Sequence, residues 1–317
     1  MLTRLTMNHH LLEVCVDSLD GLRNALVSGA DRIELCSSLA VGGMSPSLDV
    51  VSEAMDVMDS IVNKEDRILP LQIMVRLVGP SFVYSAAELD DMVRYIAEVR
   101  KLDEEKVAVH GGIAERSRQR FVSGFVFGCL TCDSAALYSC SKPTFISDSD
   151  RNSSLEAEGW AVDAKQAKKL KEACGPYSAT FHRAFDDILH KDEALRQLWS
   201  LRFDRVLTSG GRGSVDRHLP VLHHLIAFAS ELSAIPSEDS NIQAFRSVMP
   251  PKECNLDAVE SSQQTPSTSS ALPLSSSQLP CHRILVMPGG GVRQHNANTL
   301  LSMGAMEIHS SVAFVSQ

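Results

Sequence analysis

Excess positive charge, aromatic mass and long apolar runs are what this sequence has little of. Over 317 residues the formal net charge is −9, and aromatics make up 5% with only 2 tryptophans. A chain of that sign offers no general face to nucleic acid or to an anionic membrane, although a small cationic pocket stays possible. No stretch approaches the roughly 18 apolar residues that a membrane helix needs. The N-terminal MLTRLTMNHHLLEVC has neither a sustained apolar segment nor a small-residue cleavage site. These absences predict a cytoplasmic protein, with the nucleus as a second location. The first strand-like run is followed by Asp17-Ser18-Leu19 rather than by a glycine-rich turn. That disfavours an open dinucleotide-type sheet. The 8 cysteines are too dilute for the framework of a small secreted domain, so thiols are expected.

What is present is a rhythm. Short β-like runs at LEVCVD (12–17), RIELC (32–36), LQIMVRL (71–77), GFVFGCLT (124–131), SATFHRAFD (178–186), DRVLTSGG (204–211), RILVMPGGGV (283–292) and MEIHSS (306–311) alternate with amphipathic stretches. Eight such repeats are the number that closes a (β/α)₈ TIM barrel. The barrel is expected over 11–311, interrupted by insertions at 103–121 and 132–158. A Ser/Pro-rich excursion at 235–280 follows the sixth helix and is predicted to be disordered. Six residues follow the last strand-like run, so a final covering helix is not expected.

Parallel strands covered by helices turn apolar residues outward. Alternation then leaves Glu13, Cys15, Glu34, Cys36, Arg76, His182, Glu307 and His309 pointing into the barrel. So many polar groups inside are costly unless paired or solvated, and barrel sites sit at the C-terminal mouth. Either a pocket lies there, or carboxylates neutralise Arg76 and Arg183 in a register-fixing ion network. Cys15 and Cys36 read as standing at matching heights on neighbouring strands about 4.8 Å apart. Two thiolates so placed suit Cu(I); two buried cysteines serving as small hydrophobes is the alternative. Cys129 and Cys132 form a C-x-x-C without a second ligand pair, which reads as coincidence. Gly289, Gly290 and Gly291 after strand seven could turn amides toward an anion, with Ser209 and Gly210 after strand six beside them.

The segments LEVCVDS, GADRIELCSSLAVGGMSPS, MVRLVGPSFVYS, FVFGCLT, TFHRAFD, DRVLTSGG and MPGGGV occur in this order. Together they resemble the copper-homeostasis CutC family over roughly residues 11 to 311. The resemblance implies a TIM-type barrel, a cytoplasmic location, Cu(I) binding and a homo-oligomer. The family's two copper-linked cysteines fall on Cys15 and Cys36. The third strand departs from the family pattern. Relatives read like M-I-R-P-R-G-G-D-F, whereas Met74-Val75-Arg76 continues here as Leu77-Val78-Gly79-Pro80-Ser81-Phe82, without the second arginine and the acidic residue. Relatives also continue past the Glu-x-His strand.

Two functions are therefore expected. One is a copper protein holding Cu(I) on Cys15 and Cys36. The other is an enzyme acting on a small anionic, phosphate- or carboxylate-bearing substrate. There Glu13 or Glu34 is the acid or base, His182 a proton shuttle, and Arg76 or Arg183 an electrostatic clamp.

Overall fold

The computed structural model describes residues 10–65, 69–79, 81–110, 120–132, 159–235 and 282–312. Eight parallel strands form one sheet: β1 (Leu11–Val16), β2 (Arg32–Leu35), β3 (Leu71–Met74), β4 (Val122–Phe127), β7 (Ser178–Phe181), β8 (Arg205–Thr208), β9 (Leu285–Pro288) and β10 (Glu307–Ser310). Their order is β10-β1-β2-β3-β4-β7-β8-β9. A parallel bridge between Gly289 and His309 joins the two ends. The expected TIM barrel is therefore the fold. A small antiparallel pair, β5 (Leu130–Cys132) with β6 (Trp160–Val162), stands apart from it.

Seven described helices connect the strands: α1 (Leu19–Val27), α2 (Leu48–Glu65), α3 (Ala86–His110), α4 (Ala164–Cys174), α5 (Lys191–Ser200), α6 (Leu219–Ser233) and α7 (Gln294–Ser302). Local chemistry starts them where the sequence suggests. Ser18 caps α1 by accepting from the Gly21 amide (3.1 Å), and Asp163 caps α4 through the Gln166 amide (2.9 Å). Proline opens α6.

α3 continues to His110, so the segment assigned to an insertion at 103–121 begins as helix. There Asp103 is buried and accepts from the Phe121 and Val122 amides (both 3.0 Å) and from the Tyr177 hydroxyl (3.0 Å). It ties α3 to the start of β4. The rest of that insertion from 111 to 119, nearly all of 132–158, and 236–280 lie outside the described residues.

The core divides in two. The larger part lies between sheet and helices, with Val14, Val16, Ile33, Leu35, Val75 and Phe181 among it, as the alternation predicts. A separate cluster holds Cys15, Cys36, Met74 and Val126, with Leu39 against it. Cys129 is a buried free thiol, while Cys132 is disulfide-bonded. The expectation of thiols throughout is corrected at Cys132, and the two halves of the C-x-x-C do not act together.

Candidate functional site: the barrel mouth

Deep in the barrel, polar residues pair with one another, with Glu13 Oε1 and Gln72 Oε1 left without a hydrogen-bond partner among the described residues. Arg32 pairs through Nε with Glu13 and through Nη2 with Glu307 (2.6 Å), and Arg205 Nε lies 3.7 Å from Glu307. Arg205 also donates to Thr180 Oγ1 (3.1 Å) and Ser178 Oγ (2.6 Å). Burial works against the Arg32 charge, yet Glu13 and Glu307 outweigh it and push its pKa upward. An ion network of the anticipated kind thus exists around Arg32 and Arg205, while Arg183 has its own carboxylate in Asp186. Glu13 belongs to this layer and does not line the cavity above it, so its place as acid or base at the wall is corrected. Its Oε1 reaches only toward His309, 3.9 Å from Nε2.

Above this layer opens a cavity of about 470 Å³ whose lining includes Cys15, Glu34, Arg76, His182, Arg183 and His309. The thiols meet, though not by the expected geometry. Cys15 pairs in register with Glu34, so Cys36 stands one pleat higher, just past the end of β2. The sulfurs approach diagonally, Sγ to Sγ 3.4 Å, and the Cys36 thiol also donates to the Val16 carbonyl (3.3 Å). The hydrogen bond with Cys36, then burial and the Glu34 charge, push the Cys15 pKa well above that of an ordinary thiol. Met74 packs beside them: a Cβ built on Gly43 would lie 3.4 Å from Met74 Cε and 3.7 Å from Cys36 Sγ.

Next to Cys15, Glu34 accepts from His309 Nε2 at 2.6 Å. Burial would raise the Glu34 pKa, but the facing imidazolium outweighs it and holds the carboxylate below its usual range. Burial would likewise lower His309, and Glu34 pulls it up instead. Cys15, Glu34 and His309 each present a ligand atom, all within 4.8 Å of one another.

His182 follows β7 and caps the 3₁₀ turn Arg183–Asp187. Its Nδ1 accepts from the Ala184 amide (3.2 Å), so the ring proton sits on Nε2, which has no hydrogen-bond partner among the described residues. The Phe82 ring tilts against it, with centroids 4.9 Å apart. Burial, helped by Arg76, pushes its pKa down to about 3. His182 is therefore a neutral donor, not the proton shuttle expected from sequence. Arg76 is buried, donates through Nη1 to the Val41 (3.3 Å) and Gly43 (3.2 Å) carbonyls, and lies 5.0 Å from the Phe82 ring centre.

Arg183 is held by Asp186 (2.9 Å), Ser209 Oγ (3.1 Å) and the Gly213 carbonyl (2.8 Å). Asp186 is the residue sequence reasoning missed. Its segment reads as the end of a strand, but it sits in the 3₁₀ turn and accepts from Thr208 Oγ1 (2.5 Å), the Ser209 amide (3.0 Å) and Ser209 Oγ (2.6 Å). This corrects the anion role given to Ser209, whose hydroxyl is committed and fully buried. The Gly210 amide is committed to Thr208 Oγ1 (2.9 Å), and the Gly289 amide to the Thr208 carbonyl (2.9 Å). Gly290 and Gly291 do line the cavity. Gly290 has φ +93°, and a Cβ there would come within 2.7 Å of Arg183 Cζ. The glycine loop makes room for an arginine, and the arginine brings the charge.

The CutC family model matches residues 10–119 and 153–237. A CutC family protein of Mesorhizobium japonicum is 34% identical over 70% of this chain, and the match spans 65% of that relative, slightly under two thirds of its length. The human copper homeostasis protein cutC homolog is 30% identical over 96% of this chain and 74% of its own. The crystal structure of CutC from Streptococcus agalactiae superposes with a TM-score of 0.60 at 20% identity, over 96% of this chain and 100% of that one; it bears on the fold alone. The family match and the relatives' identity settle it: the chain belongs to the CutC family of copper homeostasis proteins.

Proposed function

We propose that the chain binds Cu(I) between Cys15 and Cys36 and serves intracellular copper buffering or trafficking. The observation that carries this is the pair of buried thiols 3.4 Å apart. They sit in a cluster with Met74 that is separate from the main core. Thiolate and thioether sulfur select soft ions such as Cu(I) over the harder divalent metals. A straight S–metal–S arrangement would need sulfurs about 4.6 Å apart at bonds of roughly 2.3 Å. The closer spacing here favours a third donor: Met74 shares the sulfur cluster, and Glu34 and His309 each present a ligand atom within 4.8 Å of that of Cys15. The names of the human and mouse relatives, copper homeostasis protein cutC homolog, support the same reading. Self-association belongs to the proposal as well.

Titration of the reduced chain with Cu(I) against a competing chelator tests it. One tight equivalent, lost in a Cys15→Ser/Cys36→Ser variant, is expected; equal binding by both proteins would sink the thiol site. A second reading, acid/base chemistry on a small anionic substrate, is favoured by one observation. Glu34, Arg76 and His182 line the same cavity. In that reading Glu34, kept ionised by His309, is the base, and the buried Arg76 offsets developing negative charge.

A further inference from the structure

The mouth cavity contains a hydrogen-bond donor that nothing among the described residues uses. His182 is 4% exposed and lines the cavity. Its Nδ1 is occupied by the Ala184 amide, and its Nε2–H is left unpartnered. A buried polar group in that state is costly unless something completes it. The ring packs closely on its other side, where a Cβ on Gly128 would fall 2.5 Å from Nδ1, so no small turn of the imidazole relieves it. Across the same cavity, Asp186, Ser209 and the Gly213 carbonyl occupy Arg183 Nε and Nη2. Arg183 Nη1 is the edge that faces Gly290, 2.9 Å from where a Cβ would stand. Between these polar walls the lining is apolar, with Phe82, Ala184 and Leu207.

We propose that this cavity binds a small organic molecule with an oxyanion head. The carboxylate or phosphate accepts from His182 Nε2–H and lies beside the Arg183 guanidinium, while the rest of the molecule packs on Phe82 and Leu207. A neutral imidazole is well matched to such a head, because it donates to an anion without bringing a proton that burial would strip away. The charge comes from Arg183, which Asp186 orients and Gly290 admits. The cavity size falls within the range that holds a metabolite-sized ligand. This inference deepens the second functional reading by saying where the head group sits. It does not rest on the copper reading, and binding is read without turnover.

The test uses the full chain, reduced and metal-free, with ¹⁵N-labelled histidine. The His182 Nε2–H resonance is followed while inorganic phosphate, acetate or chloride is added at constant ionic strength. A saturable shift with phosphate or acetate that chloride does not reproduce is expected, and the tighter of the two identifies the head group. Arg183→Lys, which keeps charge but loses the guanidinium geometry, should weaken that binding about tenfold. A His182 resonance that moves alike with all three salts would overturn the proposal, as would an Arg183→Lys affinity equal to the parent's. Because the decisive titration is on the unaltered chain, a variant that fails to fold does not blunt it.

Discussion

The deep layer and the mouth of this barrel are built from the same residue types, yet they leave different groups over. Below, Arg32 and Arg205 face Glu13 and Glu307, each cation answered by a carboxylate. Above, Glu34 and His309 pair. Glu13 Oε1 below and Glu34 Oε1 above are both acceptors without a hydrogen-bond partner among the described residues, but at the mouth a donor, His182 Nε2, is left over as well. The sulfurs of Cys15 and Cys36 meet there, and Cys36 also donates to the Val16 carbonyl. A saturated buried network fixes register and holds shape. One with donors and acceptors left over is shaped for something to arrive. Counting inward polar residues does not separate these cases; a buried donor left over beside a cavity does.

The contrast breaks first in the deep layer. Arg32→Met should leave Glu13 buried without its cation, with Arg205 still beside Glu307, and destabilise the chain by about 3–5 kcal/mol, read from denaturant midpoints. A loss under about 1 kcal/mol would mean that the deep layer is solvated and no more structural than the mouth. Gly290→Ala tests the loop's role as room for an arginine. It combines a positive φ with a Cβ 2.7 Å from Arg183 Cζ. About 1–3 kcal/mol is expected, with a shift of the His182 resonance as Arg183 moves.

His182 sharpens the mouth side through pH. Its folded pKa of about 3 lies below the usual histidine value, so the unfolded chain takes up a proton that the folded chain refuses. Its contribution is complete above about pH 6.5 and is lost as pH falls toward 3. His182→Phe should flatten the acid limb of stability by up to about 1.4 kcal/mol per pH unit; an unchanged limb would show a solvated imidazole. The smallest effect belongs to neither layer. Lys169 and Asp90 pair at 2.5 Å but are 48% and 60% exposed, and Lys169→Ala should change stability by less than about 0.5 kcal/mol.

Much of this is legible in the sequence, because period-two alternation and eight strand-like runs are local signals. They carry the barrel, the helix-facing valines, and the inward set of Cys15, Glu34, Arg76, His182 and His309. What local pattern does not carry is register. Cys15 opposite Glu34 rather than Cys36 is a one-pleat offset invisible in either strand alone. Arg32 gives no local signal because its partners, Glu13 and Glu307, lie near opposite ends of the chain. Asp186 reads as a strand residue; the His182 cap starts a 3₁₀ turn there and swings the carboxylate under the Thr208–Ser209 turn. Consecutive glycines suggest free amides, whereas Gly290 answers a steric demand from Arg183 that only the folded chain imposes.

Whether the two mouth sulfurs take a soft ion is the question on which most depends. Copper K-edge X-ray absorption on the reduced chain carrying one equivalent of Cu(I) answers it most directly, beside the Cys15→Ser/Cys36→Ser variant. At least two sulfurs around the copper are expected in the parent, and their loss in the variant. Copper surrounded by nitrogen and oxygen in both proteins would contradict the thiol site. The polar cavity would then stand as the functional feature of the mouth.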